Sequence, residues 1–156
     1  TSVFDTNPSG VIEHFLAVVD KHPELEFILQ KNAETQPLWQ GVLDHNSSNE
    51  FPSNVSMLLD ESKGTGVLPE AWPPIPPNTP YKIGYAGGIG PSNVTDVLSK
   101  IQKSNDTIEK AIWIDMESSL RSQKNGCDVF DLDKCYRVIL DVCKTGLLSH
   151  PSFLES

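Results

Sequence analysis

The chain has 156 residues, 38% of them hydrophobic, enough for the core of one domain. Its formal net charge is -9 and its pI about 4.7, a field that repels a nucleic-acid duplex or an anionic membrane surface. No apolar run approaches a bilayer span, and the opening Thr-Ser-Val-Phe-Asp does not read as a signal peptide.

Asn7-Pro8 opens the first helix as N-cap and first-turn proline, and Val11, Phe15, Val18 and Val19 give its apolar stripe. Residues 25–30 form a short strand. Residues 35–44 form a second helix, with Pro37 tolerable only in its first turn. Residues 45–53 are polar and loop-like. Residues 55–60 form a second strand apolar enough for burial on both faces. Pro69 to Pro80 is proline-rich and occupies the place where a helix would return the chain. It reads as a stiff connector; its Pro73-Pro-Ile-Pro76 also fits an SH3-type groove.

The next stretch, residues 81–94, starts apolar, breaks into glycines and meets Pro91, so it reads as strand, tight loop and helix. Gly87, Gly88 and Gly90 let the main chain approach a ligand, and a helix N-terminus offers donors to an anion. A phosphate cradle and a plain tight βα turn both account for these glycines. Val94, Val97, Leu98 and Ile101 follow at helical spacing. Residues 110–116 form the fourth strand, with Asp115 inside it in a buried structural place or a chemical one. Residues 117–126 form a polar loop. The last helix starts at Asp131 with a Phe130–Cys135 staple, buries Leu132, Cys135, Val138, Ile139 and Val142, and ends at Gly146.

Cys127, Cys135 and Cys143 make no CxxC pair. Cys135 and Cys143 lie eight apart on the last helix, where core packing and a reducing, cytoplasmic setting are expected. The four histidines are scattered with no HExxH, so no metal site and no cofactor is expected; the alternatives for Glu61 and Glu117 are pairing with Asp60 or binding a divalent ion. Sequons stand at Asn46, Asn54, Asn93 and Asn105, a number that chance explains in a chain rich in Ser and Thr.

Strands alternating with helices predict an α/β fold with a parallel sheet, one domain over 1–148 and a tail over 149–156. Ligands meet such sheets at the carboxyl ends of the strands, and the suspect residues all fall there.

Three of these strand ends, over roughly 55–144, together resemble phosphoribosylanthranilate isomerase, a (βα)8 barrel of tryptophan biosynthesis. Met57-Leu-Leu-Asp60 with Gly64-Thr-Gly66 and Trp72 is similar to the family's sixth strand and loop. Ala86-Gly-Gly-Ile-Gly-Pro-Ser-Asn-Val94 is similar to its seventh strand and phosphate loop, the most specific match. Ile114-Asp-Met-Glu-Ser-Ser-Leu-Arg121, then Asp131 and Lys134, resembles its eighth strand and helix. The resemblance implies half of a TIM-type barrel and a sugar-phosphate isomerase. Asp60 would be the general acid that opens the ribose ring. A phosphorylated small molecule would lie on Gly64, Gly66, Gly87, Gly88, Gly90, Ser118 and Ser119, with Arg121 at hand. The family's base is a cysteine on its first strand, and no residue here corresponds to it. Glu117, Ser119 and Arg121 stand where the family has serine, glycine and an acid; Arg121 is placed to neutralise Glu117 or to meet a carboxylated ligand. A full barrel takes roughly 250 residues. Four strands therefore imply a missing N-terminal half in a longer protein, or closure with a second copy as a homo-oligomer. The other reading is a non-catalytic barrel-derived binding or assembly module.

Overall fold

The computed structural model describes residues 7–45, 50–60, 67–105 and 111–147. Helix α1 (Pro8–Lys21) leads to β1 (Phe27–Lys31), α2 (Gln36–His45) and β2 (Val55–Asp60). After the proline-rich segment come β3 (Lys82–Ala86), α3 (Val94–Ser104) and β4 (Ile112–Ile114). A 3-10 turn (Ser118–Leu120), a hairpin of β5 (Arg121–Lys124) and β6 (Cys127–Phe130), and α4 (Leu132–Thr145) finish the described chain. Strands β1 to β4 pair in sequence order, all parallel, so the fold is α/β with βα units.

The register sorts the sheet into two unlike faces, because side chains alternate along each strand. One face carries Leu29, Val55, Met57, Leu59, Ile83 and Tyr85, all buried. The same apolar cluster takes in Val19 of α1, Val42 of α2, Val94, Val97 and Ile101 of α3, and Val138 of α4. All four helices thus contribute to one side. The opposite face carries Ile28, Gln30, Ser56, Leu58, Asp60, Lys82, Gly84 and Trp113. It is mixed in polarity, and Ile28 is 53% exposed. Gly84 is needed there, since a Cβ would stand 2.3 Å from the Trp113 ring. Glu26, Ser56 and Lys82 form a polar cluster at the start of this face, with Lys82 Nζ 2.8 Å from a Glu26 carboxylate oxygen.

The proline-rich segment is packed as a connector and takes a helix's place on the core side. Trp72 is buried edge-on to Tyr85, with ring centroids 5.9 Å apart. The Tyr85 hydroxyl donates to Pro73 O at 2.8 Å, and Ile75 N–H donates to Asn105 Oδ1 at 2.7 Å. Burial pushes the Tyr85 phenol above its ordinary value, with a hydrogen bond from Asn105 opposing.

Several expectations are corrected. The polar loop over 117–126 contains a strand: Asn125 and Gly126 adopt φ of 54° and 77°, the paired left-handed residues of a hairpin turn, and β5 and β6 pair across it. Strand β4 ends at Ile114, leaving Asp115 outside it and exposed, with its N–H on Tyr85 O at 2.9 Å. Helix α3 starts only at Val94, three residues past Pro91, because 90–93 form a hydrogen-bonded turn. In α4 only Val138 is fully buried, with Cys135 and Val142 packed beside it. Leu132 and Ile139 face outward at 74% and 57% exposure, and Phe130 is 52% exposed. Cys127 and Cys143 are exposed, so Cys135 alone of the three packs on the core.

Three sequon asparagines are braces. Asn54 Nδ2 reaches the carbonyls of Val19, His22 and Leu25 at 3.1, 3.2 and 3.1 Å, tying α1 to the sheet. Asn105 Nδ2 donates to Ile101 O at 2.7 Å. Asn93 is described below. Asn46, Glu61, Gly64, Gly66 and the tail over 149–156 lie outside the described residues.

Candidate functional site

Parallel pairing brings the four strand ends to one edge of the sheet. The first is closed by its own turn. The buried Asn32 accepts the N–H groups of Glu34 and Thr35 at 2.9 and 3.1 Å through Oδ1. Its carbonyl takes Trp39 Nε1 at 3.1 Å.

Asp60 ends β2 on the face away from the helices and is 6% exposed. Gln30 of the neighbouring strand donates Nε2 to Asp60 Oδ2 at 2.6 Å. Asp60 pairs in register with Ala86, the last residue of β3. Gly87 and Gly88 follow with φ of 114° and 63°, values that disfavour any side chain and turn the chain sharply out of the strand. Asn93 then ties the loop to itself. Its Oδ1 accepts Gly90 N–H at 2.8 Å and its Nδ2 donates to Gly88 O at 2.9 Å.

The 3-10 turn locks onto the same loop. Ser119 Oγ donates to Ile89 O at 2.5 Å, and a Cβ on Gly90 would stand 2.6 Å from Ser119 Cβ. Gly90 is therefore required by the approach of Ser119. Its N–H is committed to Asn93, so of the three glycines it offers no free donor to a ligand.

Beside this loop lies an open groove of about 440 Å³. One wall is Gly88, Gly90, Ser92, Asn93 and Ser119; the other is the first two turns of α4, with Asp131, Asp133, Lys134 and Arg137. Asp131 caps α4 by accepting Asp133 N–H at 3.1 Å and passes its own N–H to Leu120 O at 2.8 Å. A hydrogen bond from Ser122, aided by Lys124 at 3.5 Å, holds its carboxyl below the usual range despite burial. Lys134 Nζ donates to Arg121 O. Arg137 is 72% exposed and only 3.8 Å from Asp141.

Gly88, Gly90 and Ser119 of the expected site meet in this groove. Gly87, Ser118 and Arg121 do not line it, and neither does Asp60, which belongs to the other face at the same edge. Arg121 neutralises Asp128 of the hairpin rather than Glu117: Nε lies 2.6 Å from Asp128 Oδ2 and Nη2 3.2 Å from its carbonyl oxygen. Glu117 is exposed. Lys134 and Arg137 line the groove without being among the expected site residues. The signal for them is a cation in the first turns of a helix, where the macrodipole favours acids.

Among the described residues, no group of three or more His, Cys, Asp or Glu is placed to hold a metal ion, and no helix is long and apolar enough to cross a membrane. No protein-family model, curated protein or solved structure matches the chain.

Proposed function

We propose that the carboxyl edge of the sheet binds a phosphorylated small molecule and that the protein is a divergent relative of phosphoribosylanthranilate isomerase, built on half of a (βα)8 barrel. The observation that carries this is the register pair Asp60–Ala86, which sets a buried acid one strand from the left-handed Gly87-Gly88 turn. Neighbouring strands lie about 4.8 Å apart, so one ligand of sugar-phosphate size reaches both. A sheet with its helices on one face and a mixed second face is the arrangement a barrel segment needs.

In this reading the phosphate lies in the groove, on the amide side of Gly88 and within reach of Arg137. The sugar extends over the sheet edge to Asp60, which donates a proton to the ring oxygen. Gln30 holds Asp60 in place. A base outside the described groups then takes the C2′ proton.

A second reading, a non-catalytic binding or assembly module, is favoured by one feature. Asp131 and Asp133 put two carboxylates on the groove wall, and Arg121 is taken up by Asp128. Two assays separate the readings. Titration with ribose 5-phosphate, followed by amide NMR shifts, reports binding; turnover of phosphoribosylanthranilate, wild type against Asp60→Asn, reports chemistry. A positioned acid contributes roughly 10²–10⁴-fold, so Asp60→Asn is expected to lose turnover on that scale while binding persists. Binding without turnover in the wild type establishes the module. Saturation of neither assay at millimolar ligand removes the phosphate reading.

A further inference from the structure

Helix α4 is apolar over far more of its circumference than it buries. Cys135, Val138 and Val142 face the core. Leu132, Tyr136, Ile139, Leu140 and Cys143 form a second stripe at four- and three-residue spacing, turned outward. Leu132, Tyr136 and Ile139 are 74%, 64% and 57% exposed. Scattered exposed apolar residues need no explanation, but a continuous helical seam of them does.

The charges beside the seam say what covers it. Asp133, Arg137, Asp141 and Lys144 run along its outer flank, alternating in sign. Reversing the helix direction maps this row onto its complement: Asp133 meets Lys144, Arg137 meets Asp141, and the reverse. The same reversal sets Tyr136 against Cys143 and Ile139 against Leu140. A two-fold axis perpendicular to the helix does both at once, the self-complementary condition of an isologous dimer. Antiparallel packing also places each helix's positive end beside the other's negative end. Within one copy Asp141 already holds Lys144 at 2.8 Å and Arg137 at 3.8 Å. Asp133 and Lys144 lie eleven residues, or about 16 Å, apart on the helix and cannot meet within a copy.

We propose that α4 is a docking surface for a second copy of this chain, the two α4 helices packing antiparallel across a two-fold axis near Ile139 and Leu140. The seam borders the groove through Asp133 and Arg137, so a phosphate in the groove and Asp141 of the second copy compete for the Arg137 guanidinium, and the dimer is tested without ligand.

Sedimentation velocity over a concentration series tests it. The wild type is expected to show reversible dimers at twice the 17.2 kDa chain mass. Ile139→Asp is expected to be monomeric with unchanged circular dichroism. Asp133→Lys and Lys144→Asp are each expected to weaken association at least tenfold. The double variant is expected to recover it, since each reversed charge meets its opposite on the other copy. Recovery separates this seam from a general loss of fold. A wild type that stays monomeric at 100 μM, as when the tail over 149–156 or another protein covers the stripe, overturns the proposal. So does a double variant no better than the singles.

Discussion

Replacing Asn93 with alanine removes two hydrogen bonds at once, those to Gly90 N–H at 2.8 Å and Gly88 O at 2.9 Å. Gly90 is buried, so its N–H is left without a partner unless water follows. An unsatisfied buried donor costs about 1–3 kcal/mol, and the second bond adds about 0.5–1.5 kcal/mol. The groove borders Asn93 and admits water, which places the expected loss near the lower end, about 2 kcal/mol. In a domain of this size each kcal/mol moves Tm by about 2–4 °C, so Asn93→Ala is expected to melt about 4–8 °C lower. Urea unfolding followed by tryptophan fluorescence gives the free energy directly. The control is Ser92→Ala, exposed on the same turn and expected to stay within about 0.5 kcal/mol of wild type. An Asn93→Ala protein as stable as that control would refute the view that this side chain holds the loop.

Two further outcomes are expected. Gly84→Ala puts a methyl group within 2.5 Å of the Trp113 ring and is expected to cost about 1–3 kcal/mol. The Gly84→Ala/Trp113→Ala double variant is expected to lose less than the sum of the singles; strict additivity would mean that the ring does not lie over Gly84. Glu26 is held below its ordinary value of 4.5 by hydrogen bonds from Lys82 and then Ser56. A depressed carboxyl stabilises the fold above its unfolded value, and that contribution is lost as pH falls through the folded one. The Tm gap between wild type and Glu26→Gln is therefore expected to be widest above pH 4.5 and to narrow below it. A gap that ignores pH would show that the Glu26 charge contributes nothing to stability.

Periodicity in the sequence locates the alternation of helix and strand and the parallel sheet, because each strand is a short apolar run with turn residues at both ends. The hairpin after β4 is harder to see, since β5 is Arg-Ser-Gln-Lys and has no apolar alternation; only Asn125-Gly126 marks it. The α4 stripe misleads for another reason. Its apolar arc is wider than one contact, so the sequence cannot say which part turns inward, and Leu132 and Ile139 fall on the outward part. At the strand ends, the glycines of 87–90 are legible as a sharp exit from β3. What they serve is not, because Gly90 answers to Ser119, which is distant along the chain and adjacent only in the fold. Arg121 looks free in the sequence and is occupied only because the unforeseen hairpin carries Asp128 to it.

The amide nitrogen of Asn54 is shared among three main-chain oxygens, and those of Asn93 and Asn105 each serve one. A sugar is attached through that same nitrogen, replacing one of its two hydrogens with a bulky, water-seeking group. Asn93 and Asn105 keep one hydrogen for their single acceptor, whereas Asn54, with three acceptors, loses a hydrogen that its brace uses. A polypeptide carrying the sugar at Asn54 would have to leave the junction of α1 with the sheet unclosed.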